Sequence, residues 1–113
     1  MTITRTELLS EVLEDIGVLA IGENASAEDN AKVLSKYKFI HAYLQKNDLL
    51  PFDDDDPIPE EYVQPLVFAT GAAVSMAYGI QSDMNGAIEL AEAMIHKINK
   101  DYTGVQPTRF DDF

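Results

Sequence analysis

The chain reads as an all-α domain: a compact four-helix, bundle-like unit followed by an extended C-terminal tail. Three observations predict this. Two amphipathic runs, TELLSEVLEDIGV and SAEDNAKVLSKYKFIHAYLQKNDLL, form a pair separated by a Gly/Asn/Ser turn. A second pair of apolar-periodic runs follows Pro59. Hydrophobic residues make up 46% of the 113 residues, enough to fold around a core. The expected organisation is one helical domain over 1–104 and a docking tail over 105–113, at a length typical of a single domain.

The first helix is expected from about Arg5 to Ile16. Thr4 and Glu7 stand at capping-box spacing, and Leu8, Leu9, Val12, Leu13 and Ile16 share one face. Gly17 closes it. Ser26 caps the second helix, whose core stripe is Val33, Leu34, Tyr37, Ile40, His41 and Leu44. Pro51 places its end near Asn47. Residues 48–61 then hold four consecutive aspartates and no base, and read as an exposed connector.

Pro59 suits the first turn of the third helix, with Glu60 and Glu61 at its positive end. Pro65 either kinks this helix or marks where its main part begins. Leu66, Val67, Thr70, Ala73, Val74, Ala77 and Tyr78 follow, with small residues such as Gly71 permitting close helix approach, and Gly79 ends the run. Ser82 or Asp83 caps the fourth helix. Its expected buried stripe is Ala87, Leu90, Ala91, Met94 and Ile98, with Glu89, Glu92, His96 and Lys100 outward. Gly104 and Pro107 oppose further helix, leaving the tail VQPTRFDDF.

Bulk properties exclude several function classes. Net charge is −12, from 20 acids against 8 bases, so tight phosphate binding is disfavoured. There is no cysteine, hence no disulfide framework and no thiolate chemistry. The first residues lack the pattern of a signal peptide, and no apolar run approaches the roughly 18 residues of a membrane span. No membrane partner is expected.

Enzyme motifs are missing: HExxH, GxSxG and P-loop patterns do not occur, and His41 and His96 stand far apart. No cofactor is expected. Asp53, Asp54, Asp55 and Asp56 are the one tempting metal site, but they lack the alternating spacing and turn glycine of a calcium loop. They read as a solvated acidic surface, and no metal is expected. The second helix carries a different signal. Opposite its core stripe, helical spacing gathers Lys32, Lys36, Phe39, Tyr43 and Lys46. Aromatics mixed with cations are common where proteins meet. The alternative is that other helices cover this face and bury both rings within the domain.

This pattern resembles the head-completion, head-to-tail adaptor family of tailed phages, in particular the packaged-DNA stabilisation proteins of short-tailed phages. The carrying residues are Leu8-Leu9, Val12-Leu13, Ile16-Gly17-Val18, Ala31 to Leu34 and Ile40 to Leu50. Pro57-Ile58-Pro59 to Tyr62, Leu66, Ala69 and Ala77-Tyr78-Gly79 complete them. The resemblance spans roughly residues 4 to 100 and rests on apolar and turn patterns rather than catalytic signatures.

It implies a structural subunit of the virion neck, made in the host cytoplasm. Its copies, about twelve when assembled, would form a ring on the portal protein through unlike surfaces. The ring would extend the DNA channel, help retain packaged DNA and receive a downstream tail or nozzle protein. DNA would pass through without sequence-specific contacts. The family often carries a longer C-terminal extension that grips the portal; here only Asp101 to Phe113 occupy that position, a departure from the family pattern.

The subunit interface expected on this reading is Lys32, Lys36, Phe39, Tyr43 and Lys46, with Asp53 to Asp56 as the opposing surface. The tail is expected to be mobile in the monomer and to dock on the portal or a neighbour, with Phe110 and Phe113 as plugs and Arg109 as a carboxylate partner. Its alternative is to fold back over its own helices. The competing function is a small acidic inhibitor or DNA mimic that binds a basic protein, for which net charge is the warrant.

Overall fold

The computed structural model describes the backbone of residues 1–104 and the side chains of residues 1–101. Strand β1 (Thr2–Ile3) leads into α1 (Arg5–Asp15) and α2 (Ala27–Lys46); β2 (Ile58–Pro59), α3 (Val63–Ser75) and α4 (Met84–Gly104) follow. Short 3₁₀ turns, Glu60–Tyr62 and Met76–Tyr78, flank α3.

Local chemistry sets the helix ends. The Glu7 N–H donates to Thr4 Oγ1 at 3.1 Å and the Thr4 N–H donates to Glu7 Oε1 at 2.9 Å, a reciprocal cap that satisfies two otherwise orphaned donors. At the next start, Ser26 Oγ accepts from the Asp29 N–H at 3.1 Å. Gly17, at φ +83°, reverses the chain after α1 without the steric penalty a Cβ brings.

Helix α3 is the centre of the domain. It packs against each of the other three helices and is buried on nearly every side from Pro65 to Ser75. Its composition explains this: VQPLVFATGAAVS carries no charge, so no face requires water. At Gly71 the end of α1 comes close enough that a Cβ would lie 3.2 Å from Ile16 Cγ2. Pro65 sits in the first turn of α3, where an N–H would have no intrahelical partner, so it opens the helix rather than kinking it.

Several expectations are corrected. The connector over 48–61 is not simply an exposed loop. Leu49, Leu50, Phe52 and Ile58 are all buried, and Ile58 pairs with Ile3 in a two-strand antiparallel ladder, with Thr2 opposite Pro59. Pro59 accordingly belongs to a strand and not to a helical first turn. Apolar residues spaced between the acids anchor the segment, while Asp53 and Asp55 remain exposed.

Helix α4 is also rotated from the expected face. Ile88, Ala91 and Ile95 are buried, with Met84 and Ile98 packed at the edge, whereas Leu90 is 51% exposed. Asp83 caps this helix, accepting from the Gly86 N–H at 3.0 Å. Ser82 instead donates to the Ala72 carbonyl at 2.7 Å, tying the turn to α3. Ala77, expected on the buried stripe of the third helix, is exposed. The rotation has a measurable consequence. Ile95→Ala should lower stability by about 2–5 kcal/mol and Leu90→Ala by no more than about 0.5 kcal/mol, read as urea midpoints at unchanged slope.

Candidate functional site

The outer face of α2 is exposed because α3, not α2, occupies the centre. Helix α2 buries Val33, Tyr37, Ile40, His41 and Leu44 on its inner side. Phe39 is left 54% exposed and Tyr43 42% exposed. Neither ring is core, which removes the alternative that other helices cover them. Lys32 and Lys46 are exposed beside them and Lys36 is half-buried. Three of the chain's eight bases thus gather on one stripe of a strongly acidic protein.

Lys32 is partly engaged within the subunit. Its Nζ lies 4.9 Å from the centroid of the Tyr78 ring, a cation–π distance. Tyr78 in turn donates to Asp29 Oδ1 at 2.5 Å. Burial, followed by this hydrogen bond and the Asp29 charge, pushes the Tyr78 hydroxyl up to about 12. Lys32 is therefore held at one end of the stripe.

The acidic segment forms a closed turn. The Asp53 N–H donates to Asp56 Oδ2 at 2.9 Å, and the Asp56 N–H donates back to the Asp53 carbonyl at 3.2 Å. Arg5 Nη1 donates to the Asp54 carbonyl at 3.2 Å and fixes the turn to the start of α1. Asp53, Asp55 and Asp56 bring one carboxylate oxygen each within 4.8 Å of one another, close enough to share a cation. The turn's own hydrogen bonds account for its shape, and clusters of exposed acids commonly remain solvated.

Tyr37, on the inner side of α2, is fully buried, its hydroxyl without a hydrogen-bond partner among the described residues. Burial holds its ionisation well above the ordinary tyrosine range; the charges of Asp54 and Asp56 add to this, and Arg5 opposes it. The hydrogen bond from His41, one turn beyond Tyr37, to the Phe52 carbonyl places the start of the acidic turn at the inner side of α2. Two residues turn an α-helix by about 200°, so Tyr37 and Phe39 point to opposite sides of α2. The acidic turn stands on the Tyr37 side and the aromatic–lysine stripe on the other.

Tyr37 also has a stability consequence. Its folded pKa is raised above the unfolded value of about 10, so folding favours the neutral phenol. Stability is intact below about pH 10 and falls as pH rises beyond it, because the unfolded chain then releases a proton that the folded one retains. Tyr37→Phe removes an unpaired buried hydroxyl. It should stabilise the protein by about 1 kcal/mol at neutral pH and move the alkaline unfolding midpoint upward, as measured by circular dichroism.

The buried neighbours of Tyr37 form an aromatic run. His41 Nε2 donates to the Phe52 carbonyl at 2.8 Å, and the His41 and Phe52 rings meet edge-on with centroids 5.6 Å apart. Phe52 then contacts Tyr62 at 5.4 Å. His41 is thereby a satisfied structural group that anchors the connector to α2.

Arg109, Phe110 and Phe113, expected to dock on the portal, lie outside the described residues. Sequence reasoning missed one feature entirely. A groove of about 780 Å³ opens between the end of α2, the connector and α4, with Leu49, Leu50, Pro51, Pro59, Tyr62 and Asn99 among its lining. Leu49 and Leu50 are its visible signal in the sequence, obscured by the acidic composition of the connector that follows them. Among the described residues, no helix is long and apolar enough to cross a membrane. No protein-family model, curated protein or solved structure matches this chain.

Proposed function

We propose that the chain is a structural adaptor of a phage neck, assembling as a ring on the portal protein, extending the DNA channel and helping to retain packaged DNA. The ring presents its far side to a downstream tail or nozzle protein. The observation that carries this reading is the pair of unlike surfaces on opposite sides of α2. One combines exposed Phe39 and Tyr43 with Lys32, Lys36 and Lys46; the other is the acidic turn over 53–56. A head-to-tail ring needs two such complementary patches on each copy, whereas a two-fold dimer would place like against like.

The net charge of −12 supports the same reading in two ways. Repulsion between free subunits disfavours assembly without a template, and an acidic channel lets DNA pass without sticking. The chain carries no chemical step in this role. Co-sedimentation with the assembled cognate portal ring tests the proposal: the protein should travel with the portal, and salt should weaken the association by screening the lysine–aspartate contacts. Failure to travel with the portal, together with tight binding to a basic DNA-binding protein, would favour a DNA mimic instead.

A further inference from the structure

We propose that in the free subunit the groove between the end of α2 and α4 receives the chain's own C-terminal segment, with Phe110 as the inserted side chain. The groove, at about 780 Å³, lies in the range of roughly 300–1,000 Å³ in which clefts bury ligands. Its floor is formed by Leu49 and Leu50, only 3% and 5% exposed. Two polar side chains beside that floor, Tyr62 and Asn99, are held by hydrogen bonds. Tyr62 donates to Asn99 Oδ1 at 2.6 Å, and Asn99 Nδ2 donates to the Leu49 carbonyl at 3.1 Å. These bonds brace α4 against the connector, so the apolar floor is formed before anything enters.

The position of the segment selects it as the occupant. Helix α4 runs five residues beyond Asn99 to Gly104, a rise of about 7.5 Å. Phe110 stands six residues beyond Gly104, a reach of up to about 20 Å, ample for the return. Gly104 and Pro107 disfavour straight helical continuation. The chemistry matches as well: Val105, Pro107 and Phe110 suit an apolar floor, and Arg109 is adjacent to Phe110 where Asp48 lines the groove.

A second copy could offer the same segment, but two effects favour the chain's own. A short tether gives an effective concentration of about millimolar, and a net charge of −12 on each copy opposes their encounter. The inference does not rest on the adaptor reading. It selects the fold-back alternative for the free subunit in place of a mobile tail, and it gives that tail a resting site from which a partner must draw it.

The absence of cysteine allows a single nitroxide to be placed by Asp112→Cys in the full chain. In a ¹⁵N-labelled sample, the amide signals of Leu49, Leu50, Tyr62 and Asn99 should lose most of their intensity, to the same degree on dilution. Mixing the spin-labelled chain, without ¹⁵N, with an unlabelled-spin ¹⁵N chain should leave those signals intact. Adding Phe110→Ser should restore them, and Phe110→Leu should not. The proposal is overturned if the groove signals are unaffected, if broadening appears in the mixed sample at equal strength, or if Phe110→Ser changes nothing.

Discussion

Replacing Phe39 and Tyr43 together by Ser is expected to abolish ring formation on the portal while leaving the subunit folded. Neither ring belongs to the buried core of the subunit, so their loss removes little of it. Aromatic anchors at the centre of an interface commonly contribute about 2 kcal/mol or more each, and losing two weakens association by about a thousandfold. Helix content and thermal midpoint should stay close to those of the parent chain. Analytical ultracentrifugation with portal and a circular dichroism melt without it provide the paired readout. Unchanged assembly by a folded double variant would remove α2 from the interface.

The second large effect concerns the tail. Deleting Val105 to Phe113 should abolish attachment to the portal yet move the thermal midpoint by only a few degrees, about what 1 kcal/mol produces in a domain of this size. The melt should change little because the core, from Leu8 to Ile95, is complete among the described residues. Attachment should fail because Phe110 and Phe113 are the anchors proposed for the portal and Arg109 their charged companion. Normal attachment by the truncated chain would transfer the anchoring role to the helical surfaces.

Much of the fold was legible because its decisive signals are local. Thr4 with Glu7, and Ser26 with Asp29, are short-range hydrogen-bonding pairs, and both form as expected. The inner face of α2 was legible because a single apolar stripe stands against a polar remainder. Helix α4 was not, because two apolar arcs overlap on it. Leu90 and Met94 extend one, Ile88 and Ile95 the other, and both include Ala91. Only packing against α3 selects the second arc.

The connector was obscured differently. Four adjacent aspartates dominate its composition, while Leu49, Leu50, Phe52 and Ile58 reach the core singly around them. Its pairing with β1 joins residues more than fifty positions apart over just two residues in each strand, too short for periodicity to register. The exposed stripe on α2 was legible as an unusual composition, but its exposure depended on which helix took the centre. The uncharged α3 took it, leaving Phe39 and Tyr43 facing outward.

The central claim, that this chain forms a ring on a portal, is tested most directly by electron micrographs of the purified protein with and without that portal. The account predicts separate subunits in the absence of portal and, in its presence, an added ring of about twelve copies with the symmetry of the portal, as a closed head-to-tail interface requires. Bare portals at saturating concentrations of a folded, full-length chain would contradict it.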